Sequence, residues 1–150
     1  MVHSKSVSED FIDLLFDIFK NNNDWDTDNI TDKCLLTINV IDRIPLKFIK
    51  QIYDDYKQVH HLHILKYPEF GRLDWHDHFA FEEKSYIIYM DNVGGTFFKI
   101  NDKLIFESSE KNKLVIFDSK LKHKAYNDNT IRFVAAGGIY KKWTVNLEPF

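Results

Sequence analysis

From Gln58 onward the chain is a succession of short aromatic and β-branched segments: HHLHILKY, SYIIYM, GTFFKI, KLIFE, KLVIFD, IRFVAAGGIY and WTVNL. Turn residues separate them. Such segments, recurring about every ten residues, have the rhythm of antiparallel strands in a sandwich or barrel. This pattern predicts a β-rich body over residues 59–147.

The first 58 residues read differently. Ser6 with Glu9 fits a capping box, and Phe11, Leu14, Leu15, Ile18 and Phe19 follow at helical spacing, predicting a helix near residues 6–20. NNNDWDTDN, from Asn21, is a polar break. Leu35–Ile41 alternates and is β-branched, which predicts a strand. Pro45 opens a second helix in its first turn, with Leu46, Ile49, Ile52, Tyr53 and Tyr56 on its apolar face. No linker, repeat or low-complexity tract divides the chain. It is expected to be one domain over 1–150, with a helical part at about 1–58 and a β core at about 59–147.

Composition bounds the function. Hydrophobic residues are 44% and aromatics 15% of the chain, enough to bury a core. A net charge of -3 offers no strong positive field for nucleic acid. No apolar run approaches the ~20 residues of a membrane span, and the N-terminus MVHSKSVSED lacks an apolar signal core. Cys34 is the sole cysteine, so no internal disulfide forms and a reducing cytoplasm is expected.

Chemistry concentrates in GRLDWHDHFAFEEKS, from Gly71. In an extended backbone His76 and His78 share a face and Asp77 points away. A metal wants imidazoles and a carboxylate converging on one point. His123, after the strand Lys113–Asp118 and a short polar turn, is a third imidazole that a jelly roll can bring near. Asp74, on the parity of the histidine pair, is the first carboxylate candidate, then Glu82. Asp77 is available only if the strand has ended before it. Arg132 stands inside a strand, where it needs an anionic partner or an exit to water; its planar fork suits a carboxylate.

LKYPEFGRLDWHDH, YIIYMDNVGGTFF, NKLVIFDSKLKH and the following Arg132 resemble the successive core motifs of the 2-oxoglutarate- and Fe(II)-dependent dioxygenases. The resemblance spans Leu65 to Tyr140, about half the chain. It implies a double-stranded β-helix, a jelly-roll variant, mainly β with the N-terminal helices packed outside. It also implies Fe(II) as cofactor and 2-oxoglutarate as co-substrate, with His76 and His123 as iron ligands. Arg132 would then anchor the far carboxylate of the keto acid, and Tyr67 is a second candidate contact. The implied activity is a hydroxylase of unidentified substrate.

The chain departs from that family at two positions: His78 stands where the family has aspartate, and Val134, two residues after Arg132, where the family often has a hydroxyl. Either His78 is a ligand, or Asp77 or Asp74 takes the role through a local shift, or the fold is a degenerate, non-catalytic binding module. Three histidines with Glu82 also resemble the cupin pattern, a metal-binding jelly roll of other chemistry. Elsewhere the plainer readings hold. Glu82 and Glu83 are expected to be solvated otherwise. His60, His61 and His63 are expected on a strand, split between its faces. Phe97, Phe98 and Phe106 are expected in the core, and GGIY at Gly137 as a bulge or tight packing point.

Overall fold

The computed structural model describes residues 2–22, 25–27, 35–71, 74–78 and 82–140, with the backbone alone at 25–27. Its strands are β1 (Val2–Ser6), β2 (Trp25–Thr27), β3 (Leu35–Thr37), β4 (Val59–Tyr67), β5 (Lys84–Tyr89), β6 (Gly95–Ile100), β7 (Lys103–Ser108), β8 (Lys113–Asp118), β9 (His123–Tyr126) and β10 (Arg132–Ile139). Helix α1 covers Glu9–Lys20 and α2 covers Leu46–Ile52. A large sheet runs β1-β8-β5-β10-β4-β3-β2, and a small one runs β7-β6-β9. Every pairing is antiparallel. Two facing antiparallel sheets with the helices outside make the double-stranded β-helix expected from the sequence. No helix among the described residues is long and apolar enough to cross a membrane.

The large sheet is buried on both faces, and alternation decides which residues meet which layer. Leu62, Ile64, Ile88, Leu114 and Ala135 pack with Phe11, Ile12, Leu15, Phe48 and Ile52 of the helices. Phe11 stacks on Phe48 at 5.0 Å, and Phe133 meets the edges of Phe16 and Phe19. On the other face Leu65, Tyr67, Tyr89, Val115, Phe117 and Val134 pack toward Phe98 and Ala125 of the small sheet. The candidate site lies between the sheets on this second face.

Several local expectations need correcting. Helix α1 begins later than Ser6: Ser8 is its cap, its Oγ accepting from Phe11 N at 3.3 Å. Ser8 also exchanges two hydrogen bonds with the Gln51 side chain, joining α1 to α2. Residues 2–6 are a strand, paired with β8. Its side chains are mostly exposed, so backbone hydrogen bonds hold it and no apolar rhythm announces it. The strand expected over Leu35–Ile41 ends at Thr37, because Asn39 Oδ1 accepts from Ile41 N and Leu62 N and turns the chain into a short 3₁₀ segment. Pro45 caps α2, one position before its first helical residue. Tyr56 falls in a separate 3₁₀ turn beyond α2. Cys34 lies outside the described residues.

Phe98 is fully buried, but Phe106 is 45% exposed on β7 and Phe97 is half-buried against it. β7 is the edge of the small sheet, so a β-rich pattern there does not mean burial.

Gly137 and Gly138 are tight packing points. A Cβ at Gly137 would lie 2.0 Å from the His61 carbonyl oxygen, and one at Gly138 would lie 1.0 Å from Glu82 Oε2. The pairing of β10 with β4 slips just after Gly138, leaving His60 as the extra residue of a bulge. Gly137→Ala should destabilise the fold by about 1–3 kcal/mol, because backbone cannot yield as a side-chain end can. Urea unfolding measures this; an unchanged midpoint would mean that the two strands are not so close.

Candidate metal and carboxylate site

The site grows from three pieces of backbone. His76 pairs with His123 through reciprocal N–H···O bonds of 3.0 Å, and His78 N donates to Ser119 O at 2.9 Å. Extended backbone at 76–78 therefore runs along the start of β9. His76 and His78 face inward beside His123, with one ring nitrogen from each within 4.8 Å of the others. His76 Nδ1 donates to the Asp74 carbonyl at 2.7 Å, and His123 Nδ1 donates to the Leu121 carbonyl at 3.0 Å. These bonds fix both ring orientations and leave the Nε2 lone pairs for a ligand. His123 packs edge-on to Phe117 and is 4% exposed.

Burial disfavours the charged forms of His123 and His78. It pushes His123 down to about 3, with the neighbouring His76 as the next cause, and it lowers His78 as well. His60 is likewise pushed down to about 4, by burial first and then by His61. An unfolded imidazole takes up a proton near its ordinary 6.5. As pH falls below that value, the unfolded chain therefore gains protons before the folded one. Stability is full above about 6.5 and declines until pH reaches about 3, where folded His123 also protonates. Each such group steepens the decline by up to about 1.4 kcal/mol per pH unit. Metal-free urea titrations across this window should be flatter for His123→Leu; an equally steep variant would contradict the assignment.

The carboxylate candidates separate. Asp77 turns outward and pairs with Lys122 Nζ at 2.7 Å, as parity requires. Asp74 Oδ1 accepts from its neighbour Trp75 N at 2.8 Å, and the residue is exposed. Neither carboxylate belongs to the imidazole cluster. Glu82, expected to be solvated, is buried instead at 3% exposure. Its Oε1 is 4.0 Å from His78 Nδ1, while its Oε2 is 3.5 Å from His61 Nε2 and 3.9 Å from His60 Nε2. The bulge on β4 puts His60 and His61 together beside Glu82, so these histidines are not split between faces.

Arg132 opens β10 and is 1% exposed. Its guanidinium lies 5.1 Å from the Tyr67 ring centre and 5.7 Å from that of Tyr89. Tyr67 is its register partner on β4. Nε and Nη1 of Arg132 are buried and have no hydrogen-bond partner among the described residues. Asp91 is close enough to feel its charge, but Oδ1 and Oδ2 accept from Val93 N and Phe133 N. Arg132, Tyr67, Glu82 and the three clustered histidines all line one cavity of about 190 Å³ between the sheets. Tyr89, Thr96 and His61 were missed from sequence. Tyr89 and Thr96 share a 2.8 Å hydrogen bond, and Thr96 and His61 line the cavity. Only strand parity relative to Arg132 and Tyr67 would have signalled them.

No protein-family model and no curated protein sequence matches the chain. Solved structures do. A prolyl-4-hydroxylase from Pseudomonas putida superposes with a TM-score of 0.71 at 13% identity, over 94% of this chain and 92% of that one. An oxidoreductase of the 2OG-Fe(II) oxygenase family from Burkholderia pseudomallei gives 0.69 at 7% identity, over 93% and 88%. HygX from Streptomyces hygroscopicus, with nickel and 2-oxoglutarate bound, gives 0.66 at 8%, over 91% and 82%. At such low identities it is the fold that is shared: this chain has the double-stranded β-helix fold of the 2-oxoglutarate–Fe(II) oxygenases.

Proposed function

We propose that the chain is an Fe(II)- and 2-oxoglutarate-dependent oxygenase, acting as a hydroxylase. His76, His78 and His123 hold the metal, and Arg132 holds the far carboxylate of 2-oxoglutarate beside Tyr67. The observation that carries this reading is the buried guanidinium. A buried arginine left unpaired is costly by several kcal/mol, and an anion entering the cavity relieves it. Its planar fork takes a carboxylate through two hydrogen bonds. The residues also fit the metal: three imidazoles converge, two of them oriented by backbone carbonyls. The donor set brings no carboxylate of its own, so a dianionic co-substrate supplies the negative charge that a divalent metal and Arg132 together require.

When bound, iron and 2-oxoglutarate couple decarboxylation of the keto acid to oxidation of a substrate by dioxygen. The chain's part is to bind and orient. His76 and His123 keep their lone pairs directed inward, Arg132 fixes the co-substrate, and Val134, Phe117 and Ala125 keep the cavity apolar. The cupin reading, with Glu82 as a fourth ligand, is less favoured, because Glu82 lies nearer His61 than His78. The net charge of -3 argues against broad capture of nucleic acid, and the lone Cys34 accords with a reducing cytoplasm. Aerobic consumption of 2-oxoglutarate should depend on added Fe(II) and stop in His76→Ala. Consumption unaffected by metal, or absent under all conditions, would favour a non-catalytic binding module.

A further inference from the structure

We propose that His60, His61 and Glu82 form a second divalent-cation site, of the borderline class typified by Zn(II), distinct from the three-histidine cluster. This goes beyond the oxygenase reading and does not rest on it.

The geometry is that of a ligand set. One donor atom from each residue lies within 4.8 Å of the others. Glu82 Oε2 is 3.5 Å from His61 Nε2 and 3.9 Å from His60 Nε2. Donors about 2.1 Å from a tetrahedral zinc stand roughly 3.4 Å apart, so a small inward movement closes the set. Two histidines and a carboxylate are a usual zinc donor combination.

An independent observation points to a missing ligand. The Glu82 side chain is only 4% exposed, and its Oε2 has no hydrogen-bond partner among the described residues. His60 Nε2, 3.9 Å from it, is in the same condition. Buried polar atoms are nearly always satisfied, so two that face each other without a partner call for a common one, and His61 Nε2, 3.5 Å from Glu82 Oε2, is the third donor. A cation satisfies the carboxyl oxygen and an imidazole lone pair at once, whereas a hydrogen-bonding ligand needs donors and acceptors arranged separately.

The backbone is also built around this point. The β4 bulge adds one residue and turns His60 and His61 to the same place. The adjoining Gly138 has no Cβ, and any Cβ would occupy the position of Glu82 Oε2. Tyr140 stacks on the His60 ring at 3.8 Å, and Tyr86 donates its hydroxyl proton to the His61 carbonyl at 2.7 Å. The first contact fixes the His60 ring and the second the backbone that carries His61, and the Nε2 atom of each histidine lies near Glu82. Bound there, a cation would tie β4 to Glu82 and hold that wall of the cavity.

The test is metal stoichiometry. Metal-free protein is saturated with Zn(II), passed through gel filtration and assayed for zinc per chain. Two equivalents are expected for the parent, one for His60→Gln/His61→Asn, one for His123→Leu, and none for the combined variant. Glu82→Gln should also bind one, and circular dichroism checks that each variant is folded. A parent that binds one equivalent, lost in His123→Leu and kept in His60→Gln/His61→Asn, would overturn the proposal. One equivalent lost in both variants would also overturn it, since a single shared site would then use all the histidines. If His123→Leu binds as much zinc as the parent while His60→Gln/His61→Asn loses an equivalent, the second site stands and the three-histidine site fails.

Discussion

Arg132→Leu is expected to weaken 2-oxoglutarate binding at least about a hundredfold while metal binding persists. Truncating one partner of a buried, hydrogen-bonded charge pair costs about 2–5 kcal/mol, and about 1.4 kcal/mol is tenfold in affinity. Calorimetric titration of Mn(II)-loaded protein with 2-oxoglutarate measures the change without turnover. The same substitution should leave the ligand-free fold as stable as the parent or more so. Leucine removes a buried charge whose Nε and Nη1 have no partner among the described residues, and its neighbours Tyr67 and Tyr89 are aromatic. A purely structural arginine would behave in the opposite way: the fold would weaken and the affinity would hold. That pairing of outcomes separates a ligand anchor from an internal ion pair.

His123→Leu is expected to lower affinity for Fe(II) at the three-histidine cluster by at least about a hundredfold, since loss of even an outer-shell partner costs 10–100-fold. Leucine keeps an apolar body against Phe98 and Phe117, so the packing around it survives. Asp77→Asn should change metal affinity little, because its carboxylate is engaged with Lys122 at 2.7 Å on the outer side. Competition with a chelator of known affinity reads both. Equal losses in the two variants would mean that the backbone shifts and Asp77 turns inward when metal binds.

What could be read from the sequence follows physical lines. Strands β4, β5, β6, β8 and β10 show as apolar runs because each is buried on one or both faces, and periodicity reports burial, whereas the equally apolar β7 is exposed at the edge of the small sheet. β1 is a strand by hydrogen bonding alone, and its exposed side chains carry no such rhythm. His76 and His78 could be paired from parity, which is local. Their meeting with His123 depends on the pairing of residue 76 with β9, a long-range contact that only the jelly-roll resemblance anticipated. Glu82 and the β4 histidines were misread for the same reason. A bulge opposite Gly138 breaks the parity on which the reading of His60, His61 and His63 rested. The burial of Glu82 in turn depends on space left by that distant glycine.

The most direct measurement is anaerobic: add Fe(II) and then 2-oxoglutarate to the purified chain, and record the visible spectrum for the weak charge-transfer band of the chelate. The account predicts a band in the parent that disappears in both His123→Leu and Arg132→Leu. Bound iron with no band in the parent would contradict it, and would mean that the cavity holds a metal but not the keto acid.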